Sequence, residues 1–211
     1  MINRGTQSKE GTLESDKDVI SEIKILALEV ERSGKSWQLF HESVRRFEDD
    51  QKDLIDTINA RNLGSVFNHL QMVLLPACVS SICRITDEHR PDRVTLNSVF
   101  RELRSKFGDS NSSELKLLET KRKAILKSHA LEELRRFRNH HIGHTIRTEI
   151  PPTKYEHISP LNKQIADLLS EALCLFGYPE DVVQPNNKVF EKNASLFWSC
   201  IERGAKEDGL T

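Results

Sequence analysis

Seven positions between residues 37 and 58 constrain the fold more than any other feature of the chain. Trp37, Phe40, Val44, Phe47, Gln51, Leu54 and Ile58 follow one another at alternating steps of three and four. Only an α-helix brings such a set onto one face, and the resulting stripe, polar only at Gln51, is of coiled-coil type. Such a helix has to bury its stripe against other helices, and the remaining sequence supplies them. Val19, Ile23, Leu26 and Val30 predict an earlier helix, opened by the capping-box-like pair Ser15 and Asp18 and closed near Ser33-Gly34. Asn62 and Gly64 end the long helix.

From residue 65 to 87 the chain is apolar almost all round, which predicts a buried helix able to face both its own bundle and a partner, kinked at Pro76. Thr95 can cap a short helix bearing Leu96, Val99, Phe100, Leu103 and Phe107. One long, charged helix is expected from about Ser113 to Thr148, stopped by Ile150-Pro151-Pro152. Ser159-Pro160 opens another, closed by Gly177 and Pro179, and a last short helix covers Asn193 to Glu202. No repeat, strand alternation or Gly-rich phosphate loop occurs. The expected fold is an all-α, up-and-down bundle over residues 15–178, with a disordered tail before it (1–14) and a C-terminal extension after it (179–211).

Composition narrows the class further. Of 211 residues, 37% are hydrophobic and 30% charged, enough apolar side chains for one core. The N-terminal MINRGTQSKEGTLESDKD lacks the apolar stretch of a signal peptide, and the longest apolar run, Met72 to Val79, is far short of a membrane span. Cys78, Cys83, Cys174 and Cys200 form no C-x-x-C pair and read as reduced thiols. A cytoplasmic protein without membrane contact is expected. The formal net charge of −1 hides an asymmetry. Residues 121–147 hold eight Lys or Arg against two Glu, a net of +6, together with four of the eight His, which leaves −7 for the rest. Any affinity for a polyanion has to come from that stretch, with Lys121, Arg122, Lys123 and Arg135 as candidate RNA-binding cations.

The same stretch holds the chemistry. Leu131 to Arg147 reads LEELRRFRNHHIGHTIR. On a helix with Leu134 at zero, Leu131 and Phe137 define the core side. Arg138 then falls at about +40°, His141 at about −20° and His144 at about −80°, on that same side. Asn139 and His140 point away. Arginine is almost never fully buried without a partner, so this face has to meet an anion, a cleft or an interface. The alternative is that these are hydrogen-bonded core histidines and an interface arginine. An imidazole can move a proton near neutrality, and a guanidinium can hold a phosphate and stabilise its developing charge. Together they suffice for metal-independent RNA cleavage, in which the ribose 2′-OH attacks its own phosphodiester. His140 or His141 with His144 could chelate zinc on one helix face. No neighbouring acid or Cys pair completes a ligand set, and no cofactor is expected.

Arg138-Asn-His-His-Ile-Gly-His144 resembles the Arg-x(4–6)-His motif of the HEPN superfamily, with Asn139 as the polar residue common after the Arg. The segments SWQLFHE (Ser36 to Glu42), ICRITDEH (Ile82 to His89), TLNSVFREL (Thr95 to Leu103) and LRRFRNHHIGH (Leu134 to His144) are further similar to the AbiU-like branch, named for phage abortive infection. The similarity covers roughly residues 20 to 175. The resemblance implies a homodimeric bundle with two motifs across a cleft. It also implies an endoribonuclease of defence or toxin–antitoxin type that leaves a 2′,3′-cyclic phosphate and has a nucleotidyltransferase-like antitoxin as a possible partner. It implies Arg138 as the phosphate-binding residue, His144 as general acid or base, and Asn139 as an orienting group. His141 and Asp87 are auxiliary candidates, Asp87 to orient an imidazole, cap a helix or pair with Arg84. A non-catalytic helical module that binds nucleotide, RNA or protein is the alternative from another class.

Overall fold

The computed structural model describes residues 7–48, 58, 64–88, 92–108, 112–141, 155–179, 182–184 and 188–207. All regular elements among them are helical: α1 (Gln7–Glu48), α2 (Gly64–Thr86), α3 (Leu96–Phe107), α4 (Ser113–Leu126), α5 (His129–His141), a 3₁₀ turn (Tyr155–His157), α6 (Ile158–Cys174) and α7 (Lys188–Glu207). The fold is an all-α bundle with an additional C-terminal helix.

Three boundaries differ from expectation, each for a physical reason. The first is the break expected at Ser33-Gly34, which does not occur, and the helix already runs from Gln7. The stripes of the two expected helices are in register: Val19, Ile23, Leu26, Val30, Ser33, Trp37 and Phe40 are all buried. Ser33 fits the seam because its hydroxyl has partners, donating to the Cys78 carbonyl (3.3 Å) and accepting from Asn162 Nδ2 (2.9 Å). One helical Gly, at about 1 kcal/mol, cannot offset that burial. The far end of the 37–58 stripe (Gln51 and Leu54) lies outside the described residues, while Ile58 is buried with Phe67 and Trp198.

The second is the expected long helix over 113–148, which is two helices. Ser128 ends one and starts the other: its hydroxyl donates to the Ile125 carbonyl (2.8 Å) and accepts from the Leu131 amide (3.3 Å). Serine competes with the backbone in this way, so it caps helices better than it continues them. The third is the C-terminal helix, which is twenty residues long and packed on α1. Arg46, nearly buried, donates to the Ser195 carbonyl and hydroxyl and to the Ser199 hydroxyl (3.1–3.3 Å), while Trp198 donates to the Leu39 carbonyl (3.2 Å).

α2 is continuous through Pro76. By length and composition it would suffice to cross a membrane, which the interrupted Met72–Val79 run did not suggest. Its C-terminal half is bundle core: Cys78, Val79, Ile82 and Cys83 are fully buried. Its N-terminal half leaves Val66, Met72 and Val73 exposed. At the start of α3 the capping box is made by Thr95 and Ser98. Gly177, at φ 79, ends the turn after α6, where Tyr178 N donates to the Leu173 carbonyl (3.3 Å).

Candidate functional site

The end of α2 and the motif helix α5 are joined by two arginines. Leu131, Leu134 and Phe137 of α5 are buried, as their helical spacing predicts, and they hold the helix on the core. One position beyond Leu134, Arg135 donates through Nη2 to the Thr86 carbonyl (2.5 Å) in the last turn of α2. That turn is tightened by the Thr86 hydroxyl, which donates back to the Ile82 carbonyl (2.8 Å). A guanidinium at a helix C-terminus meets unsatisfied carbonyls and the negative end of the macrodipole.

Arg138, one turn further along α5, meets Asp87 just past the end of α2. Its Nη1 lies 2.9 Å from both carboxylate oxygens, and both side chains are a little over one-quarter exposed. Its Nε donates to Asn139 Oδ1 (3.3 Å), and among the described residues Nη2 has no hydrogen-bond partner. Asp87 therefore pairs with Arg138, fifty-one positions away, and not with Arg84. Arg84 instead meets Glu29 and Ser81 (2.9 and 3.1 Å). Asn139 is exposed, as its wheel position requires, yet it touches the motif arginine as its chain neighbour.

Asp87 is itself held in place. Its backbone carbonyl accepts from Asn97 Nδ2 (3.1 Å), and Asn97 Oδ1 accepts from Arg122 Nη1. Arg122 is buried, bonded to Glu119 (2.9 Å) and set over the Phe100 ring with its guanidinium carbon 5.4 Å from the centroid. Of the three basic residues at 121–123, then, Arg122 is an internal strut. Lys121 pairs with Glu171 of α6 (2.6 Å), and Lys123 is exposed. Sequence reasoning missed Asn97 and the Arg122 network. The capping box at Thr95 was the available signal, because it fixes Asn97 in the first turn of α3, beside the end of α2.

The thiol of Cys83, one turn before Asp87, is pushed up to about 11 by burial, with Arg138 pulling it down and Asp87 pushing it up. Burial likewise pushes the Cys78 thiol up to about 12. Both are inert structural groups. His140 is exposed, and His141 is the last residue of α5. The His141 side chain and residues 142–154, with Gly143 and His144, lie outside the described residues. No cluster of three metal-ligating side chains exists among the described residues.

No curated protein and no solved structure matches the chain. The family model for AbiU2, a HEPN domain, matches residues 35–177. That span is a little over two-thirds of the chain, from the middle of α1 to the turn after α6, with Asp87, Arg138 and His144 inside it. An all-α bundle with the sequence Arg138-x₅-His144, its arginine on the helix clamped to α2, thus belongs to the AbiU2 family of HEPN domains.

Proposed function

We propose that this protein is a metal-independent endoribonuclease of phage defence or toxin–antitoxin response. The 2′-OH of the substrate attacks the adjacent phosphorus, the 5′-oxygen leaves, and a 2′,3′-cyclic phosphate remains. Arg138 holds the phosphate and stabilises its developing charge, His144 moves the proton, and Asn139 orients the site. The observation that carries the reading is the state of Arg138: part-exposed, fixed through one nitrogen to Asp87, with Nη2 unpaired among the described residues. Asp87 acts on the arginine as a positioning residue, and His141 is an auxiliary on the same helix. A cytoplasmic homodimer places two such motifs across a cleft, with a nucleotidyltransferase-like antitoxin as the restraining partner. Lys121, Lys123 and Arg135 contribute positive field, with Lys123 the most available for a phosphate backbone.

The test is incubation of pure protein with structured and single-stranded RNA in EDTA. Cleavage is expected from wild type, with loss of about a hundredfold or more in Arg138→Ala and His144→Ala. No cleavage by wild type, or equal cleavage by both variants, overturns the reading. A non-catalytic helical module is favoured by one observation: Arg135 and Arg138 both have structural partners at the end of α2, Thr86 and Asp87. On that reading the alanine variants lose several degrees of melting temperature and no RNA is bound or cut.

A further inference from the structure

A second site lies between α1, the 3₁₀ turn, the start of α6 and α7. It is a cavity of about 1060 Å³, in the size range of ligand pockets. Its aromatic side chains form a connected set. Trp37 packs against Phe40 and His41 (ring centroids 5.8 and 5.3 Å), and Tyr155 stands edge-on to Phe40 (5.7 Å). Trp37 and Phe40 are nearly buried, whereas Tyr155 is 39% exposed and His41 is exposed.

The charged lining is unequal: Glu42, Glu156 and Glu191 against Arg45. Arg45 is already engaged by Glu42 at 2.9 Å. Among the described residues neither Glu156 nor Glu191 has a cationic partner, and Glu191 accepts only a long hydrogen bond from Gln38 Nε2 (3.5 Å). Gln38 is itself buried, and among the described residues its Oε1 has no donor. Among the described residues the lining therefore has an excess of negative charge next to aromatic faces. Carboxylates repel a phosphate, whereas they and the ring quadrupoles both attract a cation.

We propose that this cavity binds an organic cation, an ammonium or guanidinium group on an apolar stem. Glu156 and Glu191 meet the charge, and Trp37, Phe40 and Tyr155 meet the stem. The same chemistry is offered by a free polyamine and by a basic side chain of a protein. Tyr155 also stands edge-on to Phe137 (6.4 Å), the chain neighbour of Arg138, so the motif helix is in contact with a wall of the cavity. The inference stands whether or not the protein cuts RNA.

Trp37 is a built-in reporter, since the chain has two tryptophans and Trp198 belongs to a separate cluster with Phe67. The full chain, and a Trp198→Phe variant in which only Trp37 emits, would be titrated with spermidine, with a short Lys/Arg peptide, and with AMP as an anionic probe. A saturable emission change with spermidine or the peptide is expected, weakened about tenfold or more in the Glu156→Gln/Glu191→Gln double variant. The tighter-binding arm identifies the source of the cation. Both glutamates are exposed, so the double variant keeps the fold, and calorimetry on wild type replaces fluorescence if Trp198→Phe unfolds. The proposal is overturned if neither cation saturates, if the double variant binds as tightly as wild type, or if AMP binds and the cations do not.

Discussion

Arg138 and Cys83 occupy neighbouring ground and behave in opposite ways. The arginine is part-exposed and paired with Asp87. The thiol loses its reactivity because burial disfavours the thiolate. An alkylating reagent at about pH 8 is therefore expected to modify exposed Cys200 first and half-buried Cys174 more slowly, leaving Cys78 and Cys83 untouched until the protein unfolds. Mass spectrometry of the labelled peptides checks this, and labelling of Cys83 in the folded protein contradicts it. Asp87→Asn keeps the shape of the pair and removes its charge. For a pair this exposed, a loss of about 1 kcal/mol or less is expected in denaturant unfolding. On the proposed function, RNA cleavage is expected to fall further than that, because Arg138 loses its orientation.

The docking of α7 on α1 depends on one buried guanidinium. Arg46→Ala leaves Glu42 without its buried partner and removes the donor to three acceptors of α7, the Ser195 carbonyl and hydroxyl and the Ser199 hydroxyl. A loss of roughly 3 kcal/mol is expected, seen as a lower denaturation midpoint. Hydrogen bonding to Arg45 above all, and to Arg46, holds the Glu42 carboxyl below its ordinary range, against the opposing effect of burial. A depressed carboxyl contributes stability above its unfolded pKa and loses it as pH falls through the folded value. Glu42→Gln is accordingly destabilising at neutral pH, and its deficit shrinks below about pH 4; a deficit constant across that range contradicts the assignment. At this scale the sequence was legible wherever spacing alone decides. The stripe of α1, the capped start of α3 and the core face of α5 all follow from it. At Ser33-Gly34 the glycine signals a helix end, but the unbroken stripe of buried side chains on either side outweighs it. The Ser128 break was missed because a serine inside a charged run shows its capping role only once its hydroxyl is seen between two backbone partners.

For the whole molecule, charge is distributed by element and not by domain. Of the +6 of residues 121–147, α4 holds three charges at Lys121–Lys123 and α5 a net of one, and part of this is consumed internally by Glu119, Glu171, Asp87 and the Thr86 carbonyl. RNA binding should weaken steeply with added salt, and Lys123→Ala should lower affinity by a few fold, more than Lys121→Ala, whose charge Glu171 already meets. Equal effects of the two in a filter-binding or anisotropy titration contradict this order. The Arg-x₅-His motif is legible in the sequence, but the contacts of its arginine are not. The pairing of Asp87 with Arg138 spans fifty-one positions, and no periodicity relates residues on different helices.

The division at Ser128 has a consequence for how the motif helix stays folded. Separated from α4 at Ser128, α5 does not share that helix's hydrogen-bond ladder. Its order is supplied by the buried Leu131, Leu134 and Phe137 and by two guanidinium contacts with the end of α2. The element carrying Arg138 and the last turn of α2 should then open as one cooperative unit in hydrogen exchange. Anything that competes with Thr86 or Asp87 for those arginines would raise exchange in both segments together, while the long helix α1 stays protected.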